Sequence, residues 1–176
     1  MTIDSESQKM SEARGQVRGF LSAFELINRT STEYPLGALY PVDKLNGSLE
    51  ESIKSHSVSS QREVDSVRLT PVRPPWNELT VSLQRWMFRF LGNRAINIES
   101  YANDPLLFSN SEYQKEQSQR WAAKIVEAFE GTVVHKIDWQ LKYRSSGKVC
   151  PKFDYWSTYL IVGTKQNWLL RLESIY

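Results

Sequence analysis

Few side chains in this sequence could carry covalent or acid–base chemistry, and their spacing is the first constraint on function. There are two histidines, His56 and His135, and one cysteine, Cys150. His135 alternates with Val133 and Ile137, which places it on the apolar side of a strand, while Asp138 points to the other side, so the two cannot form an acid–base couple. Cys150 stands before Pro151 between Lys148 and Lys152. Those lysines would lower a thiol pKa, but no histidine lies near it in sequence to serve as base. A single cysteine permits neither an internal disulfide nor a thiolate zinc site, and two histidines leave too few ligands for most other metals. The sequence contains no glycine-rich phosphate loop, serine nucleophile elbow or His-Glu metal pair. These absences predict a protein that is not an enzyme and needs no cofactor, working through its surfaces in a reducing compartment.

The elements that would position such surfaces are unevenly spread along the 176 residues. Apolar residues make up 40% and charged residues 24%, the balance of an ordinary folded domain. No stretch reaches the ~18 uncharged apolar residues a membrane span requires, and charge breaks up the first thirty residues too often for a signal peptide. All six tryptophans lie from Trp76 onward, and residues 132–176 hold seven basic against three acidic side chains. Residues 1–75 contain only Phe20, Phe24, Tyr34 and Tyr40 as aromatics, and Ser48 to Ser60 includes six serines. This composition predicts a largely flexible arm over residues 1–60 and a globular domain over 61–176.

The fold class expected is α+β: a small antiparallel sheet with two packed helices behind the arm. In the arm, Val17, Phe20, Leu21, Phe24 and Ile27 recur at helical spacing and predict a short amphipathic helix over about 16–28. Such a helix needs a surface, so Phe20, Leu21 and Phe24 are candidates for self-association or membrane contact. In the domain, Arg62 to Val72 reads as a strand. Leu79, Leu83, Trp86, Met87, Phe90 and Leu91 form a helical stripe capped by Gly92, and a second helix runs from Ser109 through Tyr113, Trp121, Ile125 and Phe129 to Gly131. The strand Val133 to Tyr143 alternates most regularly, with His135, Ile137, Trp139 and Leu141 on a core face and Lys136, Asp138, Gln140, Lys142 and Arg144 on a wet one. A hairpin of 153–162 and 168–175 completes three antiparallel strands. Lys136, Lys142 and Arg144, with Lys148 and Lys152 in the following loop, form a candidate basic face for anionic lipid or a phosphate-rich partner.

Two short segments stand apart from this framework. Leu39-Tyr40-Pro41-Val42-Asp43-Lys44-Leu45 has the form LYPxxxL, and Tyr34-Pro35-Leu36-Gly37-Ala38-Leu39 overlaps it as YPxxxL. They resemble late-domain peptides of viral structural proteins, which recruit host membrane-scission machinery. Tyr34, Pro35, Leu39, Tyr40, Pro41 and Leu45 are then the binding residues, with proline pre-ordering an extended chain.

Residues 60–176 resemble the matrix proteins of rhabdoviruses in a strand entering Arg73-Pro74, a helix holding Arg85-Trp86, the Phe90-Leu91-Gly92 step, and a closing hairpin of Leu160-Ile161-Val162 and Trp168 to Ile175. The resemblance implies a viral matrix protein of the virion. Such a protein self-associates, bridges the nucleocapsid to the anionic inner face of the envelope, condenses the nucleocapsid and promotes budding with host ESCRT-associated factors. It also implies residence in the host cytoplasm, at the inner face of host membranes and in the host nucleus. The arm lacks that family's lysine cluster, and Pro74-Pro75-Trp76-Asn77 is not the PPxY peptide. The competing reading is an intracellular binding domain of the nuclear-transport-factor-2-like fold, in which helices precede a curved antiparallel sheet.

The regular strand yields a test of the core. Trp139→Ala should lower stability by about 3–5 kcal/mol, measured by urea unfolding, and leave little folded protein.

Overall fold

The computed structural model describes residues 5–29, 34–43, 48–55, 62–94, 111–149 and 156–175. Its elements, in order, are α1 (Ser5–Asn28), β1 (Tyr34–Val42), α2 (Leu49–Ser55), β2 (Arg62–Val72), α3 (Asn77–Arg94), α4 (Ser111–Ala128), β3 (Gly131–Tyr143), β4 (Trp156–Gly163) and β5 (Asn167–Ile175). The fold is α+β with an antiparallel sheet, as the hydrophobic patterning predicts. The strands pair in the order β1-β5-β4-β3-β2. β3 to β5 form a meander, β2 pairs with β3 after a connection through α3 and α4, and β1 closes the far edge against β5, with Tyr34 opposite Ile175 and Val42 opposite Asn167.

The register sends alternate side chains to two faces, and both faces are covered. On one, Val134, Tyr159, Ile161, Trp168, Leu170 and Leu172 pack beneath the three long helices. The helices contribute Val17, Phe20 and Leu21 from α1, Leu79, Leu83, Trp86 and Met87 from α3, and Ala122, Ile125 and Val126 from α4. On the other face, Val42, Ile137, Trp139, Leu141, Leu160 and Leu169 form a second core that includes Ile53 of α2, with Leu49 packed against it.

Three expectations are corrected here and one is narrowed. The boundary at residue 61 does not separate an arm from a domain, because α1, β1 and α2 all lie before it and supply core residues. The sheet has five strands: the strand read at Arg62 to Val72 and the three expected at the C-terminal end are joined by β1, which the patterning does not predict. The face of β3 read as wet holds for Lys136, Asp138, Gln140, Lys142 and Arg144, none of them buried, and is narrowed only at Val134 before them, which lies under the helices. Gly92 does not cap α3, whose backbone stays helical through Arg94.

Local chemistry explains where the elements begin and end. Residues 49–55, inside the supposed connector, are helical because Ser48 and Glu51 cap each other. Ser48 Oγ accepts from the Glu51 N–H at 3.2 Å, and Glu51 Oε2 accepts from the Ser48 N–H at 3.0 Å. A turn closed by the Trp76 N–H on the Arg73 carbonyl at 2.9 Å, containing the cis Pro74-Pro75 bond, leads into α3. At the end of α4 the left-handed residue is Glu130, with φ of 53°, rather than glycine. Gly131 is required for a different reason: a Cβ there would lie 2.7 Å from Ile161 Cγ2 and 2.8 Å from Val126 Cγ1. β2 carries a bulge between Val64 and Ser66, and Pro71 sits on this edge strand where the sheet tolerates a missing donor.

The seat of α1 is polar at both ends and aromatic in the middle. Arg14 donates from Nε to the Ala128 carbonyl and from a guanidinium nitrogen to Glu130 Oε2, each at 2.9 Å, and lies 5.6 Å from the ring centres of Phe129 and Trp168. It satisfies a terminal carbonyl of α4 where the helix dipole favours a cation. Phe20 stacks on Trp121 with ring centres 3.5 Å apart. Asn28, fully buried, donates from Nδ2 to the Met87 carbonyl at 3.0 Å.

Gly37 of β1 leaves room for Trp86, since a Cβ at this position would fall 2.5 Å from two atoms of the indole. Trp86 is itself in the core, 6% exposed. Gly37→Ala should therefore cost about 1–3 kcal/mol as an overpacked core, visible as a lower midpoint in thermal unfolding. An unchanged midpoint would show that the indole can move aside freely.

Candidate functional site

Of the groups considered for chemistry, His135 lies on the α2 side of the sheet with a buried Nδ1 that has no hydrogen-bond partner. Burial lowers its pKa below the ordinary 6.5, and the nearby Glu50 carboxylate partly opposes this. Asp138 emerges on the other face and bonds Arg68 at 3.2 Å, so the structure keeps the two apart. Cys150 and His56 lie outside the described residues. No cluster of three or more metal-ligating side chains occurs among the described residues.

One polar cluster was not anticipated. Tyr159 is fully buried on β4 and donates its hydroxyl to the Glu78 carbonyl at 2.8 Å, with Ser82 Oγ at 2.7 Å and Ser157 Oγ bonded to Ser82 at 3.1 Å. With Lys136 opposite Tyr159 in the ladder, the strand pair carries the residue types of a hydroxyl-activating site. The electrostatics run the other way. Burial pushes the phenol up to about 12, leaving it protonated and unable to act as a base near neutrality. The cluster fastens the first turns of α3 to the sheet. Only the alternation of Ser157 and Tyr159 along β4, set against Ser82 on the inner face of α3, could have signalled it.

The tyrosine-proline segment is a strand. Residues 34–42 form β1, paired along their length with β5. Leu39 packs against the helix-side core, and Tyr40 packs against the opposite core with the Arg171 guanidinium 5.8 Å from its ring centre. Pro41 is exposed, and Leu45 lies outside the described residues. The expected free, extended peptide is therefore corrected: Leu39 and Tyr40 point to opposite faces and are held in the fold, so a partner could take both only by unpairing β1. Phe20 and Leu21 are likewise buried in their own core, and Phe24 packs against it. Their assignment to contact between copies or with a membrane is corrected to internal docking, because the long helices and sheet provide the apolar surface that the stripe needs.

The proposed basic face is partly neutralised. Lys142 bridges Glu63 at 3.3 Å and Asp65 at 3.4 Å, and Arg144 reaches Glu63 at 3.7 Å. Glu63 and then Asp65 hold the Lys142 ammonium above its usual range. Lys148 is exposed in the turn beyond β3, Lys136 is half-buried, and Lys152 lies outside the described residues. The acidic end of β2 lies in register with the basic end of β3, a pairing invisible to a reading of β3 alone.

A groove of about 290 Å³ runs between α1 and α4. Met10, Ala13, Val17 and Trp121 are among its apolar lining, and Lys9, Gln16, Lys124 and Glu127 add polar groups. Lys124 Nζ lies 4.9 Å from the Trp121 ring centre. No helix among the described residues is long and apolar enough to cross a membrane. Comparisons of the chain with family models, curated proteins and solved structures find no match.

His135 supplies the prediction. Because its folded pKa is below the unfolded value of 6.5, the unfolded state binds more protons as pH falls through this window, and stability falls with it. The contribution is complete above 6.5 and is lost on passing below the folded pKa. Urea midpoints measured from pH 7.5 to 5.5 should fall more for the native chain than for His135→Gln, and parallel curves would remove His135 from the pH response.

Proposed function

We propose that the protein is a viral matrix-type structural protein. It self-associates, bridges the nucleocapsid to the anionic inner face of the envelope, condenses the nucleocapsid and promotes budding. The observation that carries this reading is that the segments bearing the resemblance share one framework. The strand entering Arg73-Pro74, the helix with Arg85-Trp86 and the hairpin from Leu160 to Ile175 are β2, α3 and β4–β5 of one sheet-and-helix unit. The chemistry is consistent with a protein acting by contact: the buried tyrosine is protonated, and His135 and Asp138 are on opposite faces.

The nuclear-transport-factor-2-like alternative requires a ligand cavity between the helices and the sheet. Among the described residues Tyr159, Ile161, Trp168 and Leu170 of the sheet belong to one apolar core with the helices, each 8% exposed or less. The matrix reading places its partners on the outside and needs no internal cavity.

Oligomer size across a salt series tests the proposal. A matrix protein should assemble reversibly at low ionic strength, disperse as screening rises, and sediment with vesicles containing anionic lipid. A salt-indifferent monomer that leaves such vesicles in the supernatant would overturn it.

A further inference from the structure

We propose that the α1–α4 groove is a docking site for a short acidic amphipathic helix of a partner protein. The two helices run antiparallel, since Arg14 meets the C-terminal end of α4 while Phe20 meets Trp121 further back. The groove spans Lys9 to Val17 on one wall and Trp121 to Ala128 on the other. This is a run of about 12 Å at 1.5 Å per residue, enough for two turns of a third helix. Its floor suits an apolar side chain: Ala13 and Ala128 are small, Met10 is adaptable, and Trp121 adds an aromatic ring fixed by stacking on Phe20.

Charge selects the partner's sign. Lys9 and Lys124 line opposite walls and form no salt bridge among the described residues, and Glu127 is the single carboxylate among the lining groups. Lys124 is held near the Trp121 face, so a carboxylate arriving beside an apolar anchor meets a cation already in position. A partner helix with Leu, Ile or Phe next to Asp or Glu matches floor and rim together. This proposal does not rest on the matrix reading.

The probe is a library of random 12-residue peptides displayed on phage and selected against the full chain. Enriched peptides are synthesised and titrated against the native protein, Lys124→Glu and Met10→Asp, with circular dichroism confirming that both variants fold. The proposal expects peptides with an apolar residue beside an acidic one, which become helical on binding. It also expects affinity about tenfold weaker for Lys124→Glu, recovered when the peptide's acid is replaced by lysine. Failure to enrich such peptides, or binding indifferent to both substitutions, overturns it. So does Lys124-dependent binding to vesicles of phosphatidylserine and phosphatidylcholine without peptide selection, which would assign the groove to a lipid. Self-association and vesicle sedimentation of the native chain are scored separately, so failure here is distinguishable from failure of the matrix proposal.

Discussion

The close approach of Trp86 to Gly37 is the contact around which the helices and sheet are organised. α3 supplies the ring, β1 leaves the space by having no side chain, and Leu21 of α1 closes over the same spot, with Cδ2 3.2 Å from where a Cβ would stand. The buried Asn28 then ties the end of α1 to the α3 backbone one residue beyond Trp86. Three elements meet at one point, and close packing allows none of them to shift alone. The two sheet faces depend on it differently. The helix-side core is built directly on this junction, whereas the α2-side core depends on it through β1, which carries Val42 and Tyr40.

The same strand shows how an exposed sheet edge is made safe. Gly37 donates its N–H to Glu25 rather than to β5. Backbone alternation turns the neighbouring odd positions outward as well. Pro35 and Pro41 fall at those positions, so neither removes a rung from the ladder, and both deny an incoming strand a donor. The prolines that resemble a recruitment peptide in the linear sequence serve here as edge protection.

Legibility in the sequence followed the range of the interactions. β3 was readable because its second core imposes strict alternation over Ile137, Trp139 and Leu141, and the stripe of α3 was readable because Leu79, Leu83, Trp86 and Met87 face one wall. β1 was not, because an edge strand with two prolines and a glycine has little intrinsic β-propensity and is stabilised by a partner at the far end of the chain. The Ser48–Glu51 capping box was present in the letters but masked by the serine-rich composition around it. The candidate surfaces fared worse than the fold. A stripe such as Phe20, Leu21 and Phe24 demands a surface without naming it, and the charge on β3 could not be evaluated without knowing that Glu63 and Asp65 stand beside it.

Pairing β1 with β5 also sets an order of events during synthesis. α1 and β1 leave the ribosome well before β5, the strand that completes their ladder, with all the other elements made between them. Until it arrives, Phe20, Leu21 and Leu39 lack much of the surface that covers them in the finished fold. High-contact-order closure of this kind is slow and leaves apolar surface open to capture meanwhile. A nascent chain stalled before Asn167 would therefore be a substrate for chaperones, and two chains emerging side by side would have the opportunity to exchange their first helix and strand.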